Sequence, residues 1–331
     1  MRGSGRGGRQ GHMQIERRTF LKHTAAGAML SCFPASLTAI ERTAAGPLER
    51  RTLGRTGEKL SIIGFGGIVV MDATSAQAAQ RVAHAIDRGV NYFDVAPSYG
   101  NAEEMLGPAL EPYRKNVFLA CKTLERSRDG AAAELEASLR HLRTDHVDLY
   151  QLHAVTKKED VAEILGPSGA LEAFVAARAA GKTRFLGFSA HNVDAALALI
   201  EAFSFDTILF PINFATWHAG NFGPQVLAAA QKKGMGILAL KSMAYRPWQP
   251  GAARTNQKCW YEPLADPDAA RQGLRFTLSH PVTAAIPPGD DTLFALALDL
   301  AATYTPLSPE EAEAIKRKGL ETTPLFKNTS V

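Results

Sequence analysis

Short apolar runs recur roughly every thirty residues along this chain, and most are followed by a stretch with helical spacing of its apolar positions. A short continuous apolar run is typical of a strand that is buried on both faces. The candidate strands lie at residues 60–66, 91–94, 117–122, 147–153, 185–189, 208–213, 236–241 and 282–287. The pattern therefore predicts eight strands that alternate with helices.

The predicted helices are rich in alanine, and residues 78–86 and 131–142 carry apolar side chains three and four positions apart. Gly181 and Gly234 mark helix ends. Eight strand–helix units in about 280 residues predict one α/β domain, a (β/α)8 TIM barrel, whose usual size is about 250 residues. An open doubly wound sheet is disfavoured, because no glycine-rich G-x-G-x-x-G turn follows the first strand.

Four polar residues, Asp94, Tyr99, Lys122 and His153, lie at or just past the ends of predicted strands. In a closed barrel, reactive groups gather where the strands end, so residues distant in sequence can share one pocket. The set contains a phenol as a proton donor, a lysine and a carboxylate to tune it, and an imidazole to orient a carbonyl. It therefore predicts an active site for carbonyl chemistry.

Composition agrees with a large folded domain and argues against nucleic-acid binding. The chain has 331 residues, is 46% hydrophobic and carries a net charge of +4. Ten basic and three acidic residues fall within residues 1–55, leaving 27 basic and 30 acidic residues in the remainder. No basic folded surface is therefore expected. The three cysteines form no disulfide framework, Cys121 is interpreted as a small buried hydrophobic residue, and no metal site is expected.

Residues 1–46 are interpreted as an N-terminal extension and signal region, with the barrel domain at residues 47–331. Arg17 and Arg18 precede Phe20-Leu21 and an apolar run at residues 25–33. This order resembles a twin-arginine export signal, with an apolar run too short to span a bilayer. It predicts a periplasmic protein that meets the twin-arginine export machinery and has no stable membrane span. A basic disordered tail on a cytoplasmic protein is the alternative.

The string N-Y-F-D-V-A-P-S-Y-G at residues 91–100, with Lys122 and the Q-L-H that ends at His153, resembles the aldo/keto reductase superfamily. The resemblance runs from Arg51 to Lys318 and includes an entry hairpin at residues 53–61. It implies an NAD(P)H-dependent carbonyl reductase. Tyr99 would be the general acid, Lys122 and Asp94 would tune it, and His153 would orient the carbonyl oxygen.

The resemblance also implies a nicotinamide cofactor, NADP(H) with NAD(H) as the alternative. The implied cofactor-binding residues are a carboxamide-binding pair, a lysine near the pyrophosphate and the loop toward the adenine ribose: Ser189, Asn213, Lys241, Pro287, Gly289 and Asp290. Lys241 could instead be a solvated loop residue. The chain departs from the family pattern at Asp290-Asp291, where many relatives place a basic residue to meet a 2′-phosphate.

Further departures concern the nicotinamide. The family often has Asn or Asp directly after the serine, where this chain has Ala190, and the usual aromatic after the seventh barrel strand is replaced by Lys241-Ser242. Met243 or Trp217 are candidates to replace that aromatic.

The expected function is reduction of a small-molecule aldehyde or ketone. Residues 244–264 carry Tyr245, Trp248, Trp260 and Tyr261, which are expected to overhang the pocket or to pack on the barrel rim. These aromatics suit aldehydes, ketones or sugars equally, and the fold does not choose among them. A nicotinamide-cofactor-binding sensor or accessory subunit with little turnover is the alternative function. No oligomeric state follows from the sequence.

Overall fold

The structure, a computed structural model, describes residues 48–328. The strands are β1 (Arg50–Thr52), β2 (Lys59–Ser61), β3 (Phe65–Gly66), β4 (Tyr92–Asp94), β5 (Phe118–Thr123), β6 (Val147–Val155), β7 (Thr183–Ala190), β8 (Thr207–Pro211), β9 (Gly236–Leu240), β10 (Ala244–Pro247), β11 (Tyr261–Pro263) and β12 (Ala284–Ile286). The helices are α1 (Ser75–Asp87), α2 (Ala102–Leu110), α3 (Arg128–His141), α4 (Lys158–Leu165), α5 (Ala170–Ala179), α6 (Val193–Ala202), α7 (Phe214–His218), α8 (Pro224–Lys232), α9 (Pro267–Leu278), α10 (Asp291–Ala301) and α11 (Pro309–Glu321).

Eight parallel strands, β3 to β9 and β12, form one sheet in chain order. Its two edges meet where Ile63 pairs with Ala285 in parallel. The Gly64 amide donates to the Ala285 carbonyl at 3.0 Å, and the Ala285 amide donates to Ile62 at 2.9 Å. The predicted single-domain (β/α)8 barrel is confirmed. The first predicted strand, residues 60–66, is divided between β2 and β3, because the Ser61 hydroxyl donates to the Ile63 carbonyl and turns the chain there.

An antiparallel hairpin of β1 and β2 precedes the barrel, as the family resemblance implies. Leu53 and Leu60 from this hairpin are fully buried against the barrel interior. The interior cluster also contains side chains from the barrel strands: Tyr92, Phe118, Ala120, Leu149, Leu209, Leu238, Ala284 and Ile286. The hairpin contacts residues near the amino ends of the strands, so the opposite end of the barrel is left for a pocket.

Side-chain caps define where the barrel helices begin. Thr74 and Gln77 form a reciprocal capping box at α1, and Ser127 accepts a hydrogen bond from the third residue of α3. Such caps satisfy amides that have no partner within the helix. Gly181 and Gly234 adopt left-handed backbone conformations, with φ of 74° and 67°, just after α5 and α8. Both positions were predicted as helix ends, and glycine adopts this conformation without steric cost.

A second hairpin, β10 and β11, lies in the connection between β9 and α9, beyond the carboxyl end of the barrel strand. It brings residues from the 244–264 segment to the same end as the predicted site. None of the helices within residues 48–328 is long and apolar enough to cross a membrane. The predicted signal at residues 1–46 lies outside the described residues.

Candidate active site

A cavity of about 240 Å³ opens at the carboxyl ends of the barrel strands. Asp94, Tyr99 and His153 line it together. They come from the ends of β4 and β6 and from the turn after β4, so the closed sheet brings together residues that are up to 59 positions apart. The four predicted site residues therefore lie together, with Lys122 behind Tyr99.

Lys122 and Asp94 form a buried ion pair beneath Tyr99. The Lys122 side chain is 1% exposed and that of Asp94 is 3% exposed. The Lys122 ammonium also lies 3.4 Å from the Tyr99 hydroxyl and 3.4 Å from the Val95 carbonyl. Burial alone would lower the pKa of Lys122, but attraction to Asp94 and Tyr99 and the hydrogen bond to Asp94 together outweigh burial and raise the pKa. The lysine is thus held as a cation directly behind the phenol.

Two residues that the sequence analysis did not single out hold Asp94 in place. The Tyr92 hydroxyl donates to Asp94 Oδ2 at 3.1 Å, and Gln151 Nε2 donates to the same oxygen at 3.0 Å. Tyr92 precedes Asp94 by two positions on β4, so both side chains point to the same face of the strand. That period of two was the available signal. The carboxylate is thereby fixed from three sides.

The Tyr99 phenol is protonated at physiological pH in this structure. Burial raises the pKa of Tyr99 above its usual value near 10, Lys122 lowers it in part, and Asp94 raises it. The nearby cation therefore offsets the cost of burial without bringing the pKa below normal. The ring lies edge-on to His153, with centroids 5.6 Å apart. A neutral phenol in this position can donate a proton into the cavity.

A distortion at the end of β6 sets the direction of His153. The pairing of β6 with β7 shifts register between Leu152 and Val155, and Ala154 has a φ of 52°. Such bulges commonly re-aim a side chain beside an active site. Ser189 Oγ accepts from the Ala154 amide at 2.8 Å, and Arg126 Nη2 donates to the His153 carbonyl at 2.8 Å. Arg126 is a supporting residue that no sequence motif indicated.

The His153 imidazole is neutral. Burial, followed by repulsion from Lys122, His191, Arg126 and Lys241, lowers the pKa of His153 to about 2. Its Nδ1 lies 3.3 Å from the Ser98 hydroxyl. If that hydroxyl donates to Nδ1, the ring proton resides on Nε2, which can then donate to a carbonyl oxygen.

The predicted cofactor-binding residues at 287–290 differ in whether they line the cavity. Pro287 and Gly289 line the cavity. A Cβ on Gly289 would lie 2.3 Å from the Ile68 side chain, so only glycine fits this approach. Asp290 does not line the cavity. Its carboxylate accepts hydrogen bonds from the Thr292 and Leu293 amides and caps α10.

Ser189 and Asn213 are both fully buried and do not line the cavity directly. Asn213 Oδ1 accepts from the Thr216 amide at 2.9 Å and caps α7. Its Nδ2 is buried without a hydrogen-bond partner, and so is Ser242 Oγ. Buried polar atoms of this kind are normally paired.

Neither residue predicted as an aromatic substitute faces the cavity. Trp217 packs on His280, with ring centroids 4.3 Å apart, and Met243 is fully buried in the main core. Of the loop aromatics, Trp260 and Tyr261 line the cavity, whereas Tyr245 and Trp248 border a separate surface depression. The expected aromatic overhang is therefore found for Trp260 and Tyr261 and not for Tyr245 and Trp248.

Lys241 lines the cavity as well, at the end of β9. Its ammonium lies over the Tyr261 ring at 4.8 Å and over the Trp260 ring at 5.3 Å from the centroids. Burial lowers the pKa of Lys241 to about 8. The solvated-loop interpretation is therefore not what the structure shows.

Three cavity residues escaped the sequence analysis. Lys258 donates to the carbonyls of Ile68, Val69 and Met71 at 3.0, 3.3 and 2.7 Å, which ties the 244–264 segment to the chain after β3. The other two are His191, which the sequence shows only as a polar residue after Ser189, and Ile68 itself. Lone residues in loops carry no periodicity, so no pattern marked them.

Comparison with known proteins identifies the family model that matches. Residues 63–259, more than half of the chain, match the model of the aldo/keto reductase family. The uncharacterized oxidoreductase YqkF of Bacillus subtilis (strain 168) is 23% identical over 300 residues, which are 81% of this chain and 96% of that protein. L-galactose dehydrogenase of Arabidopsis thaliana is 26% identical over 213 residues, covering 60% of this chain and 66% of that protein.

The fold is shared with solved structures. The holo form of the aldo-keto reductase AKR11C1 from Bacillus halodurans superposes with a TM-score of 0.66 at 21% sequence identity, covering 82% of this chain and 96% of that chain. At this sequence identity the structural similarity supports only a shared barrel architecture.

Proposed function

The chain belongs to the aldo/keto reductase family of NAD(P)-dependent oxidoreductases, and we propose that it reduces an aldehyde or ketone with Tyr99 as the proton donor. The observation that carries the proposal is the contact of one buried ammonium with both Asp94 and Tyr99, beside a neutral His153. A binding protein without turnover has no use for such a charge arrangement behind a phenol.

The side chains of the site have separate roles at the carbonyl oxygen. His153 Nε2–H donates a hydrogen bond that polarises the carbonyl and holds it in position. The Tyr99 hydroxyl then delivers its proton to the oxygen as negative charge develops there. Lys122 lies 3.4 Å from that hydroxyl and stabilises the phenolate that remains. Asp94 keeps the lysine in place, and Tyr92 and Gln151 keep Asp94 in place.

The residues fit a nicotinamide nucleotide. When bound, a reduced nicotinamide supplies the hydride that the carbonyl carbon accepts. The unpartnered Asn213 Nδ2 supports the assignment of Asn213 and Ser189 to the carboxamide. The backbone at Pro287 and Gly289, which packs against Ile68, would hold the nucleotide farther along the cavity. Both positions can be tested without turnover by measuring nucleotide affinity.

Nucleotide choice depends on the start of α10. Asp291 pairs with Arg81 at 2.6 Å, and Asp290 is occupied as a helix cap. Neither carboxylate is therefore an unpaired charge, and Arg81 is a cation beside the segment that the family resemblance assigns to the adenine ribose. We propose that both NADPH and NADH are used, with little discrimination.

The direct test is oxidation of NADPH and NADH by the purified full chain with a panel of aldehydes, ketones and sugars. Carbonyl-dependent oxidation at catalytic rates supports the proposal. Tight nucleotide binding without turnover on any carbonyl would favour a cofactor-binding sensor instead.

The location of the protein is a separate proposal that rests on residues 1–46. We propose export by the twin-arginine route, which carries folded proteins, so that nucleotide bound in the cytoplasm would travel with the barrel. Cell fractionation of the wild type and of the Arg17→Lys, Arg18→Lys double variant tests this. Wild-type protein found wholly in the cytoplasm at native expression would overturn it.

A further inference from the structure

Two lysines line the cavity, and they differ in how their hydrogen-bond donors are used. An ammonium group has three donors. Those of Lys258 are directed at three backbone carbonyls, of Ile68, Val69 and Met71. The Lys241 ammonium has no hydrogen bond and no carboxylate partner among residues 48–328, and it lies over the rings of Trp260 and Tyr261. Lys258 is therefore a structural tie, whereas Lys241 has all of its donors available for a ligand.

The surroundings of Lys241 leave its charge uncompensated. Asp94 is the one acidic residue that lines the described cavity, and it is already paired with Lys122. The Lys241 backbone has a φ of 69°, a conformation that side-chain-bearing residues rarely adopt. Strained residues and buried unpaired charges are costly, and both concentrate at binding and catalytic sites. The combination points to an anionic ligand group.

His191 is a second cavity residue that suits an anionic ligand group. Its Nε2 is buried without a hydrogen-bond partner, although the residue lines the cavity. The ring stacks on Phe326 with centroids 5.2 Å apart and an angle of 13° between planes, so its orientation is set by packing. Burial, and then Lys241, lowers the pKa of His191 to about 4, so the ring is neutral and can donate from one nitrogen.

We propose that Lys241 and His191 form a subsite for a carboxylate on the substrate, so that the preferred substrates are aldehydes or ketones bearing an acid group. This inference rests on the proposed carbonyl reduction. The sequence alone placed Lys241 near the cofactor pyrophosphate, which is also an oxyanion. Lys241, His191 and His153 all line the same cavity. The nucleotide segment Pro287–Gly289 instead packs beside Ile68, the residue to which Lys258 is tied. We assign the free Lys241 cation to the substrate, beside the reacting carbonyl.

The test compares two aldehydes of nearly equal size, 3-formylbenzoate and its neutral amide 3-formylbenzamide. The wild type should prefer the acid by about 30-fold in kcat/KM, the scale of a charge-assisted hydrogen bond. Lys241→Met should reduce that preference to about threefold or less, through the KM of the acid. Lys241→Arg should restore most of the preference. His191→Phe, which keeps the ring stack, should reduce it by about fivefold.

The matched control is Lys59→Met, which removes an exposed lysine from the hairpin that packs at the amino-terminal end of the barrel. Thermal unfolding of every variant checks that the barrel is intact. Nucleotide affinity is measured without substrate, by quenching of protein fluorescence. Lys241→Met should leave the Kd for NADPH within about threefold of the wild-type value, whereas loss of a phosphate contact would weaken binding by about tenfold or more.

The outcomes distinguish the substrate carboxylate from the cofactor pyrophosphate as the oxyanion that Lys241 binds. A weakened nucleotide Kd in Lys241→Met, with an unchanged preference for the acid, would assign the cation to the pyrophosphate and overturn the inference. A wild-type enzyme that treats the acid and the amide alike would overturn it as well.

A binding measurement tests the carboxylate subsite independently of carbonyl reduction. Isophthalate and isophthalamide are titrated calorimetrically into the protein saturated with NADP⁺. If no aldehyde is reduced but isophthalate binds in a Lys241-dependent manner, carbonyl reduction fails and the carboxylate subsite stands. If isophthalate binds no better than isophthalamide, the subsite is refuted.

Discussion

The Lys122 ammonium lies 3.4 Å from the Tyr99 hydroxyl and 5.0 Å from the centre of the Tyr99 ring. The same ammonium pairs with Asp94, so the phenol contacts a buried ion pair and not an isolated cation. This explains why burial dominates the pKa of Tyr99 in the free site. The cation becomes most valuable once the phenol has lost its proton. Lys122 is therefore expected to act on the transition state more than on the resting enzyme.

Tyr99→Phe should abolish turnover while leaving nucleotide affinity intact. Only the hydroxyl is lost, and the ring can still pack edge-on to His153. The expected loss in kcat is about 100-fold or more, the scale of general acid catalysis. Steady-state kinetics and nucleotide titration check both statements, with Tyr113→Phe as the control because Tyr113 lies away from the cavity. Retention of more than about a tenth of the activity would show that Tyr99 is not the acid.

Lys122→Met and Asp94→Asn should each be severe, and their effects should not multiply. Removing one partner of a buried ion pair leaves the other uncompensated, at a cost of about 3–5 kcal/mol. The double variant should therefore be little worse than either single variant, in kcat and in thermal stability. A double-mutant cycle on kcat supplies the coupling. Effects that multiply independently would argue against a shared network.

Binding of an acidic substrate should weaken above pH 8 while reduction of a neutral substrate stays level. The pKa of Lys241 is lowered to about 8, so the cation is present below that pH and is lost above it. The groups around it add no charge near neutrality, because burial lowers the pKa of His191 to about 4 and raises that of Cys259 to about 11 and that of Tyr261 further. His153, with a pKa of about 2, also stays neutral.

The measurement is a pH profile of KM for 3-formylbenzoate and 3-formylbenzamide from pH 6 to 10. The KM of the acid should begin to rise near the Lys241 pKa and level off about tenfold higher, because binding an anion and binding the proton are linked. The bound anion raises the Lys241 pKa in the complex, so the KM levels off above that higher pKa, while the onset of the rise stays at the pKa of the free protein. Equal profiles for the two aldehydes would contradict the assignment.

Lys258→Met should accelerate nucleotide release. The ammonium ties the 244–264 segment to three carbonyls after β3, and the variant leaves those carbonyls without this donor. An increase of about tenfold or more in the dissociation rate is expected, in line with loss of one charge-assisted contact network. Stopped-flow displacement of NADPH measures it. Arg254→Met, an exposed cation on the same segment, is the control and should release nucleotide at the wild-type rate.

Asp291→Ser should shift the enzyme toward NADPH. The substitution removes the carboxylate that pairs with Arg81 and leaves the guanidinium free for a 2′-phosphate. The NADPH-to-NADH ratio of kcat/KM should rise by about tenfold over the wild type, in which the ratio is expected to be small. Comparison of the two nucleotides in both proteins is sufficient. A wild-type preference for NADPH above about a thousandfold would show that a phosphate site already exists.

The eight-stranded barrel, its hairpin and the positions of Asp94, Tyr99, Lys122 and His153 could all be predicted from the sequence. The barrel and the placement of the four polar residues depend on local regularities, namely apolar runs of strand length, helical spacing between them and polar residues where each run stops. The hairpin was implied by the resemblance to the aldo/keto reductase family. Because a barrel collects its strand ends at one rim, knowing that a residue ends a strand is enough to place it at the site. The assembled structure agrees with those predictions in geometry.

Contacts between loops were decided by the tertiary structure alone. The free donors of Lys241, the saturated donors of Lys258 and the stack of His191 on Phe326 join segments that are distant in sequence and lack any repeating pattern. Asp290 is likewise a cap because α10 begins beside it. Sequence periodicity reports which face of an element is buried, whereas the partner of a loop side chain depends on which other loop reaches it. The sequence therefore predicts the barrel scaffold, whereas the distribution of charge around its cavity is decided by tertiary contacts.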